Sequence, residues 1–166
     1  MAQAKNSIGL MDTNNLEKLD LSKVAIIHTE WNDTIVRELV NGCESILHKF
    51  NCDVVAKVTV PGSVEIPFAC RMIWKHFETK ENKPDAIIVF GAVIRGGTPH
   101  FDYVCKAVTE GVLQLNMSLP IPVIFGVLTL DTEEQAWERL GGIHGHKGEE
   151  AAIAALKMIA AGRKWA

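Results

Sequence analysis

The chain has 166 residues, 48% apolar and 22% charged, the balance of one globular domain with a sizeable core. Its 17 basic and 20 acidic side chains leave a formal charge of −3, with no basic block to attract nucleic acid and no acidic tail to act as a disordered effector. No run reaches the roughly 18 apolar residues of a membrane span, and the N-terminal stretch lacks the apolar core of a signal peptide.

Residues 1–22 are polar and mixed and read as an N-terminal arm, free or docked on a neighbour, in which Ile8-Gly9-Leu10 is a candidate short strand. Residues 23–166 read as a single domain. Val24-Ala-Ile-Ile27 is a short, β-branched run expected to be a buried strand. After it, Asn32 or Asp33 can cap a helix whose Ile35, Leu39, Cys43, Ile46 and Phe50 share one face. Asp53 to Val60 is the second strand, closed by Pro61-Gly62-Ser63. A helix opens at Val64-Glu-Ile-Pro67, where the missing donor of proline costs little, and buries Ile66, Cys70, Ile73 and Phe77.

Asp85 to Gly91 is the third strand and Tyr103 to Leu115 the next helix. Between them lie Gly96, Gly97, Thr98, Pro99 and His100, a turn that lets backbone approach a ligand and leads into a helix N-terminus, where anions are favoured. Val123 to Thr129 is the fourth strand. Asp131 and Thr132 are cap candidates for a helix through Leu140, Gly141 to Gly148 reads as a glycine-rich loop, and Glu149 to Gly162 as a final alanine-rich helix. His144 and His146 stand two apart on that loop without an acidic or thiol partner set, so they read as solvated side chains rather than metal ligands. Cys43, Cys52, Cys70 and Cys105 are irregularly spaced and lack a C-x-x-C pair, so they read as free thiols, most of them buried, in a reduced, cytoplasmic protein.

Strands alternating with helices imply a parallel sheet covered on both faces, and ligands of such sheets bind beyond the carboxyl ends of the strands. Trp31, Ser63 to Glu65, Val93 to His100 and Thr129 to Asp131 all belong to that rim. Each has a plainer reading taken singly: Trp31 as a rim or core aromatic, Glu65 as a helix-dipole partner. Together they offer a stacking face for a planar ring and, with an arginine, a phosphate site, beside a histidine able to move a proton near neutral pH. No G-x-S-x-G nucleophile turn and no G-x-x-x-x-G-K-[ST] phosphate loop is present.

Gly91-Ala-Val-Ile-Arg-Gly-Gly-Thr-Pro-His-Phe-Asp-Tyr103 resembles the signature of the 6,7-dimethyl-8-ribityllumazine synthase family. Pro61-Gly-Ser-Val-Glu-Ile-Pro67 is similar to its second motif. Pro122 to Thr129, Glu134-Gln-Ala-Trp-Glu-Arg139 and Lys147-Gly148 are similar to its third block. The motifs stand in the family's order from about Val24 to the last helix. The resemblance implies a flavodoxin-like three-layer α/β/α sandwich around a four-stranded parallel sheet, extendable by an N-terminal strand from a neighbour. It implies the penultimate step of riboflavin synthesis: condensation of 5-amino-6-(D-ribitylamino)uracil with 3,4-dihydroxy-2-butanone 4-phosphate, releasing phosphate and water without a metal or organic cofactor.

Carried over by position, the resemblance makes Trp31 the aromatic that stacks on the pyrimidine. Asn32 and Ser63, Val64 and Glu65 hold the ribityl chain, and Val93 and Ile94 meet the uracil through main-chain groups. Gly97 and Thr98 bind the phosphate with Arg139 of an adjacent subunit, His100 transfers protons, Phe125 closes the site from the neighbour, and Lys147 contacts the pyrimidine. It also implies a pentamer, with pentamers closing into an icosahedral shell, and a riboflavin synthase as candidate protein partner. Ile143 stands where many relatives carry lysine, and His144 and His146 replace a small residue and an asparagine, which removes accessory basic contacts from this loop. Its shortness resembles the shell-forming members. A non-catalytic ribityl carrier would use the same stacking and polyol contacts. An archaeal-type riboflavin synthase fits less well, because it has no phosphorylated substrate for the glycine turn and Arg139.

Overall fold

In the computed structural model, described for residues 12, 13, 16, 19 and 21–165, the domain is an open α/β sandwich. Its elements run β1 (Lys23–Thr29), α1 (Asp33–Lys49), β2 (Asp53–Val60), a 3₁₀ turn (Ser63–Glu65), α2 (Ile66–Phe77), β3 (Ala86–Ile94), α3 (His100–Ser118), β4 (Val123–Leu130), α4 (Glu134–Trp137), β5 (Leu140–Gly142), β6 (Gly145–His146) and α5 (Lys147–Trp165). The four long strands form one parallel sheet in the order β2-β1-β3-β4. Among the described residues no helix is long and apolar enough to cross a membrane. The candidate strand at Ile8 to Leu10 lies outside the described residues.

Alternation along the central strands builds two cores. Val24 and Ile26 of β1, with Ala86, Ile88, Phe90 and Ala92 of β3, face the layer of α1 and α5. Ala25 and Ile27, with Ile87 and Val89, face the layer of α2 and α3. β3 is buried on both faces as far as Ala92, which is why it reads as a continuous apolar run rather than an alternating one. Leu16 and Leu19 are buried in the first core, so these two side chains pack on their own chain.

Several expected boundaries move. β3 continues through Ile94 because Val93 and Ile94 still pair with Thr129 and Leu130 of β4. α3 starts at His100 rather than Tyr103, since Pro99, at φ −62°, already holds the helical backbone that opens it. The helix expected from Asp131 or Thr132 to Leu140 shrinks to Glu134–Trp137, and the expected glycine loop is an antiparallel hairpin, β5 with β6. Gly141 at φ +104° and Gly145 at φ +72° take the left-handed backbone that this reversal requires. Lys147 is then the first residue of α5, not a loop residue.

The hairpin also corrects the reading of its histidines as solvated. The His146 side chain is 11% exposed and its ring lies where a Cβ on Gly42 of α1 would stand. Its Nε2 is 3.8 Å from Glu38, and its Nδ1 accepts from the Glu149 N–H at 3.4 Å. The His144 side chain is 25% exposed and 3.7 Å from Glu138. Folding the hairpin onto α1 covers the His146 ring, while His144 is partly covered beside Glu138, outcomes set by tertiary packing.

The four cysteines are free. Burial pushes the Cys52 and Cys70 thiols up to about 12 and raises Cys43 and Cys105 as well, so these groups pack as small apolar side chains.

Candidate functional site

The carboxyl rim of the sheet is assembled from four connections. After β1, the chain turns sharply: Thr29 Oγ1 donates to the Trp31 carbonyl at 3.1 Å, and the Glu30 and Trp31 N–H groups donate to Val60 and Pro61 at 2.9 and 3.2 Å. These bonds seat the turn after β1 beside the turn after β2. Trp31 is left 72% exposed, an orientation that the sequence alone did not determine.

Asn32 caps α1, but not as expected. It sits in the left-handed region at φ 59°, ψ 40°, and its side chain does not bond to the helix. Instead Nδ2 donates across the sheet to the Ala92 carbonyl at 2.7 Å. The cap side chain is diverted because β3 outlasts its pairing with β1. That ladder stops at His28 with Phe90, whereas β3 pairs with β4 as far as Ile94. The N–H groups of Ile87 and Arg95 donate to Pro122 and Leu130, so odd-numbered residues of β3 turn their main chain toward β4 and even-numbered ones toward β1. Beyond Phe90 the β1 side is open. Asn32 occupies the Ala92 carbonyl there, and Ile94 presents the next main-chain groups on that side, while those of Val93 face β4.

The second connection packs under the first. An ideal Cβ on Gly62 would lie 3.2 Å from Glu65 Oε2 and 3.5 Å from the Trp31 ring, so this glycine lets the indole and the carboxylate converge. Ser63 is 7% exposed, and its Oγ lies 2.7 Å from where a Cβ on Gly91 would stand. Val64 is 49% exposed on the outer side. α3 packs against this 3₁₀ turn, which brings the third connection alongside.

That third connection, residues 95–99, carries Gly97 and Thr98 into α3. Gly96 and Gly97 have open space where a Cβ would be. No side chain caps α3, so the leading N–H groups of the helix keep their capacity to bind an anion. His100 is exposed at the first helical position. Sequence reasoning passed over Arg95, which stands directly before the glycines. Its Nε donates to Asp131 at 2.8 Å and its Nη1 to Asp102 at 3.2 Å, and its guanidinium lies 4.0 Å from the Phe101 ring centre. The hydrogen bond to Asp131 holds its pKa above the ordinary arginine value. A cation between a strand end and a glycine turn was the available signal.

Arg139, Lys147 and Phe125 stand apart from these contacts. Arg139 Nη1 donates to the Gln135 carbonyl at 2.8 Å and lies 3.6 Å from Glu138, while its own carbonyl accepts from the Lys147 N–H at 2.9 Å. Lys147 Nζ is held by both oxygens of Glu150, at 2.7 and 2.8 Å. Phe125 pairs with Val89 in mid-strand and is 40% exposed on the edge strand β4. It lies five residues before Leu130, roughly 16 Å from the rim at the rise of a β-strand.

The carboxyl rim of an open parallel sheet is where α/β enzymes bind small molecules, and here it carries an indole, a carboxylate, unpaired strand backbone and an uncapped helix start. The comparison with known proteins makes this specific. Residues 22–163 match the family model for 6,7-dimethyl-8-ribityllumazine synthase. The chain is 43% identical over 162 residues to the 6,7-dimethyl-8-ribityllumazine synthase of Parabacteroides distasonis, covering 96% of this chain and 98% of that one. It is 46% identical over 140 residues to the enzyme of that name from Bacteroides fragilis, covering 82% and 94%. Against that of Streptomyces coelicolor it is 44% identical over 140 residues, covering 83% of each. The chain belongs to the 6,7-dimethyl-8-ribityllumazine synthase family. It is a transferase of riboflavin biosynthesis, and it catalyses the condensation that forms dimethylribityllumazine.

Proposed function

We propose that the rim binds 5-amino-6-(D-ribitylamino)uracil and 3,4-dihydroxy-2-butanone 4-phosphate side by side, with the following division of labour. The pyrimidine stacks on Trp31, and its edge is read by the open main chain of Ile94, with Val93 beside it. The ribityl chain lies along Asn32 and Ser63 to Glu65, with the Glu65 carboxylate accepting from its hydroxyls. The phosphate of the ketone sits on Gly97, Thr98 and the uncapped start of α3, and Arg139 of an adjacent subunit grips it bidentately. Lys147 reaches the pyrimidine after exchanging Glu150 for substrate. The observation that carries this reading is the convergence of Trp31 and Glu65 on Gly62, beside strand backbone that β1 leaves unpaired.

The chemistry then rests mainly on placement. The amine and the ketone react slowly in water, and fixing them in contact supplies an effective concentration that can reach about 10⁵ M or more. His100 takes and returns protons during imine formation and phosphate loss, a contribution of about 10²–10⁴-fold. The turn amides and Arg139 stabilise the departing phosphate. No metal or organic cofactor enters this scheme.

The site is completed by a neighbour. Phe125 lies too far down β4 to reach the rim of its own chain, and it is an exposed phenyl on an edge strand, the placement of a group that serves another subunit. Phe68, Tyr103, Leu113 and Met117 are more than half exposed on α2 and α3, further apolar surface that assembly would cover. We assign a pentamer, and the short β5–β6 hairpin, which resembles that of shell-forming members, supports its closure into an icosahedral shell. Residues 1–22 serve as the arm and 23–166 as the single catalytic domain. A riboflavin synthase is the candidate protein partner, and free, buried thiols suit a cytoplasmic enzyme.

The deciding experiment mixes both substrates with purified protein and follows lumazine formation by absorbance, with Trp31→Ala in parallel. Loss of the indole face should raise KM for the pyrimidine by about 3–10-fold. An unchanged KM would remove Trp31 from the site. Light scattering at the monomer mass would contradict the shared site, and a mass fixed at the pentamer value across buffers would contradict the shell.

A further inference from the structure

Neither glycine of the residue 96–99 turn is supported by packing: the space where each Cβ would stand is empty. Such a segment loses much conformational freedom when it closes on an anion, unless its ends are already held. They are held here by one side chain. Arg95, the residue before Gly96, donates back to Asp131, which follows β4, and forward to Asp102 in the first turn of α3. Its guanidinium also lies over the ring of Phe101, next to His100. Its main-chain N–H is tied to Leu130 at 2.8 Å. Arg95 thus joins the strand that enters the turn, the strand alongside it and the helix that leaves it.

We propose that Arg95 is a positioning residue for the phosphate turn and for His100, acting through Asp102 and Asp131 rather than by touching substrate. This rests on the assignment of the phosphate to Gly97 and Thr98. The side chains are 45% exposed for Arg95 and 64% for each aspartate, and exposed ion pairs of this kind contribute little to stability. Their effect is expected in the geometry of the turn, not in the folding equilibrium. Lysine cannot reproduce it fully, because an ammonium lacks the planar fork that reaches two carboxylates while stacking on a ring.

The test compares the full-length assembled protein with Arg95→Met, Arg95→Lys, Asp102→Asn and Asp131→Asn. The readouts are KM for each substrate, kcat, inhibition by inorganic phosphate and the thermal midpoint. Arg95→Met should raise KM for the butanone phosphate and weaken phosphate inhibition by about tenfold each, with KM for the pyrimidine changing less than about twofold. The thermal midpoint should stay within a few degrees of the parent. Arg95→Lys and each aspartate variant, which keep part of the clamp, should fall between parent and Arg95→Met. The proposal is overturned if Arg95→Met leaves the butanone phosphate KM unchanged, or if both KM values rise equally as the thermal midpoint falls. Should Arg95→Met fail to assemble, the aspartate variants decide in the same way: a selective rise supports the clamp, and parent-like kinetics refute it. Absence of lumazine formation by the parent would instead count against the functional reading. Phosphate binding by parent and Arg95→Met would then still test the clamp.

Discussion

Asn32 Nδ2 lies 2.7 Å from the carbonyl oxygen of Ala92, joining the end of β1 to β3 just where their ladder has stopped. The bond uses the strand backbone that β1 leaves open, and it is available only because Asn32 adopts φ 59°, a conformation asparagine tolerates better than most residues. Removing the side chain has two separable consequences. Asn32→Ala loses the bond and keeps a Cβ in the left-handed region without the polar side chain that lets asparagine tolerate it, in a conformation that costs roughly 1–2 kcal/mol. Asn32→Gly loses the bond but also removes the Cβ, so the left-handed backbone no longer carries that steric cost. The glycine variant should therefore be the more stable of the two by about 1 kcal/mol, and both should bind the pyrimidine more weakly. Equal urea-unfolding free energies would show that the backbone conformation at this position carries no cost.

His100 and Arg139 should fail in different ways. In the proposed scheme the exposed His100 assists proton transfer, so His100→Ala should lower kcat by about 10²–10⁴-fold and retain measurable turnover. The same scheme has Arg139 supply charge-assisted hydrogen bonds to phosphate, so Arg139→Ala should raise KM for the butanone phosphate by roughly 10–100-fold. Steady-state kinetics with each substrate varied in turn separates them. Undetectable turnover in the first variant, or a parental KM in the second, would reverse the assignments.

The close crossing of α1 and α5 gives two alanine substitutions an order. By helix propensity alone, Gly42→Ala and Gly148→Ala should stabilise by up to about 1 kcal/mol. The structure reverses the sign. A Cβ on Gly148 would lie 2.0 Å from the Leu39 carbonyl oxygen, and backbone in a helix interior cannot give way. A Cβ on Gly42 would lie 2.1 Å from the His146 ring, a side chain on a short hairpin that can shift. Gly148→Ala should cost about 3 kcal/mol or more and Gly42→Ala about 1, read as denaturation midpoints. A stabilised Gly148→Ala would mean that the helices do not cross this closely.

His28 makes stability depend on pH. Burial, then the nearby Lys57 charge, lowers its pKa below the ordinary value of 6.5, against smaller opposing contributions from Thr29, Asp33 and Glu44. A depressed histidine binds fewer protons folded than unfolded. Its contribution to stability is therefore complete above the ordinary value and declines as pH falls through 6.5 toward the folded value. Unfolding midpoints at about pH 7.5 and about pH 5.5 should differ more in the parent than in His28→Gln. An equal drop in both would show that other groups account for the slope.

Much of the fold was legible because the central strands are short apolar runs and the helices carry a regular apolar stripe. Ile66, Cys70, Ile73 and Phe77 were read from spacing alone, and all are buried. Boundaries were less legible. Val93 and Ile94 look like the start of a loop until β4 is laid beside them, and the stretch after Arg139 looks like a loop until it folds back as a hairpin. The histidines of that hairpin show the limit most plainly. A polar, glycine-rich context reads as solvent, yet His146 packs against a glycine of α1 more than a hundred residues earlier in the chain.

The rim followed from the order of elements. Once strands and helices alternate, the connections holding Trp31, Glu65, Gly97 and Asp131 must emerge at the same end of a parallel sheet. Local sequence also determined which residues could supply a ring face, a carboxylate and an anion-binding turn, because those capacities belong to the side chains and the backbone themselves. Tertiary structure alone decided how they are oriented. It sent the Asn32 side chain to β3 instead of its own helix, left Ile94 with unpaired main-chain groups, tied Arg95 to Asp131 at the end of another strand as well as to nearby Asp102, and put Phe125 beyond reach of its own rim. Those outcomes depend on which strands lie side by side and where each ladder stops, a register set by packing between distant segments and invisible to any local pattern.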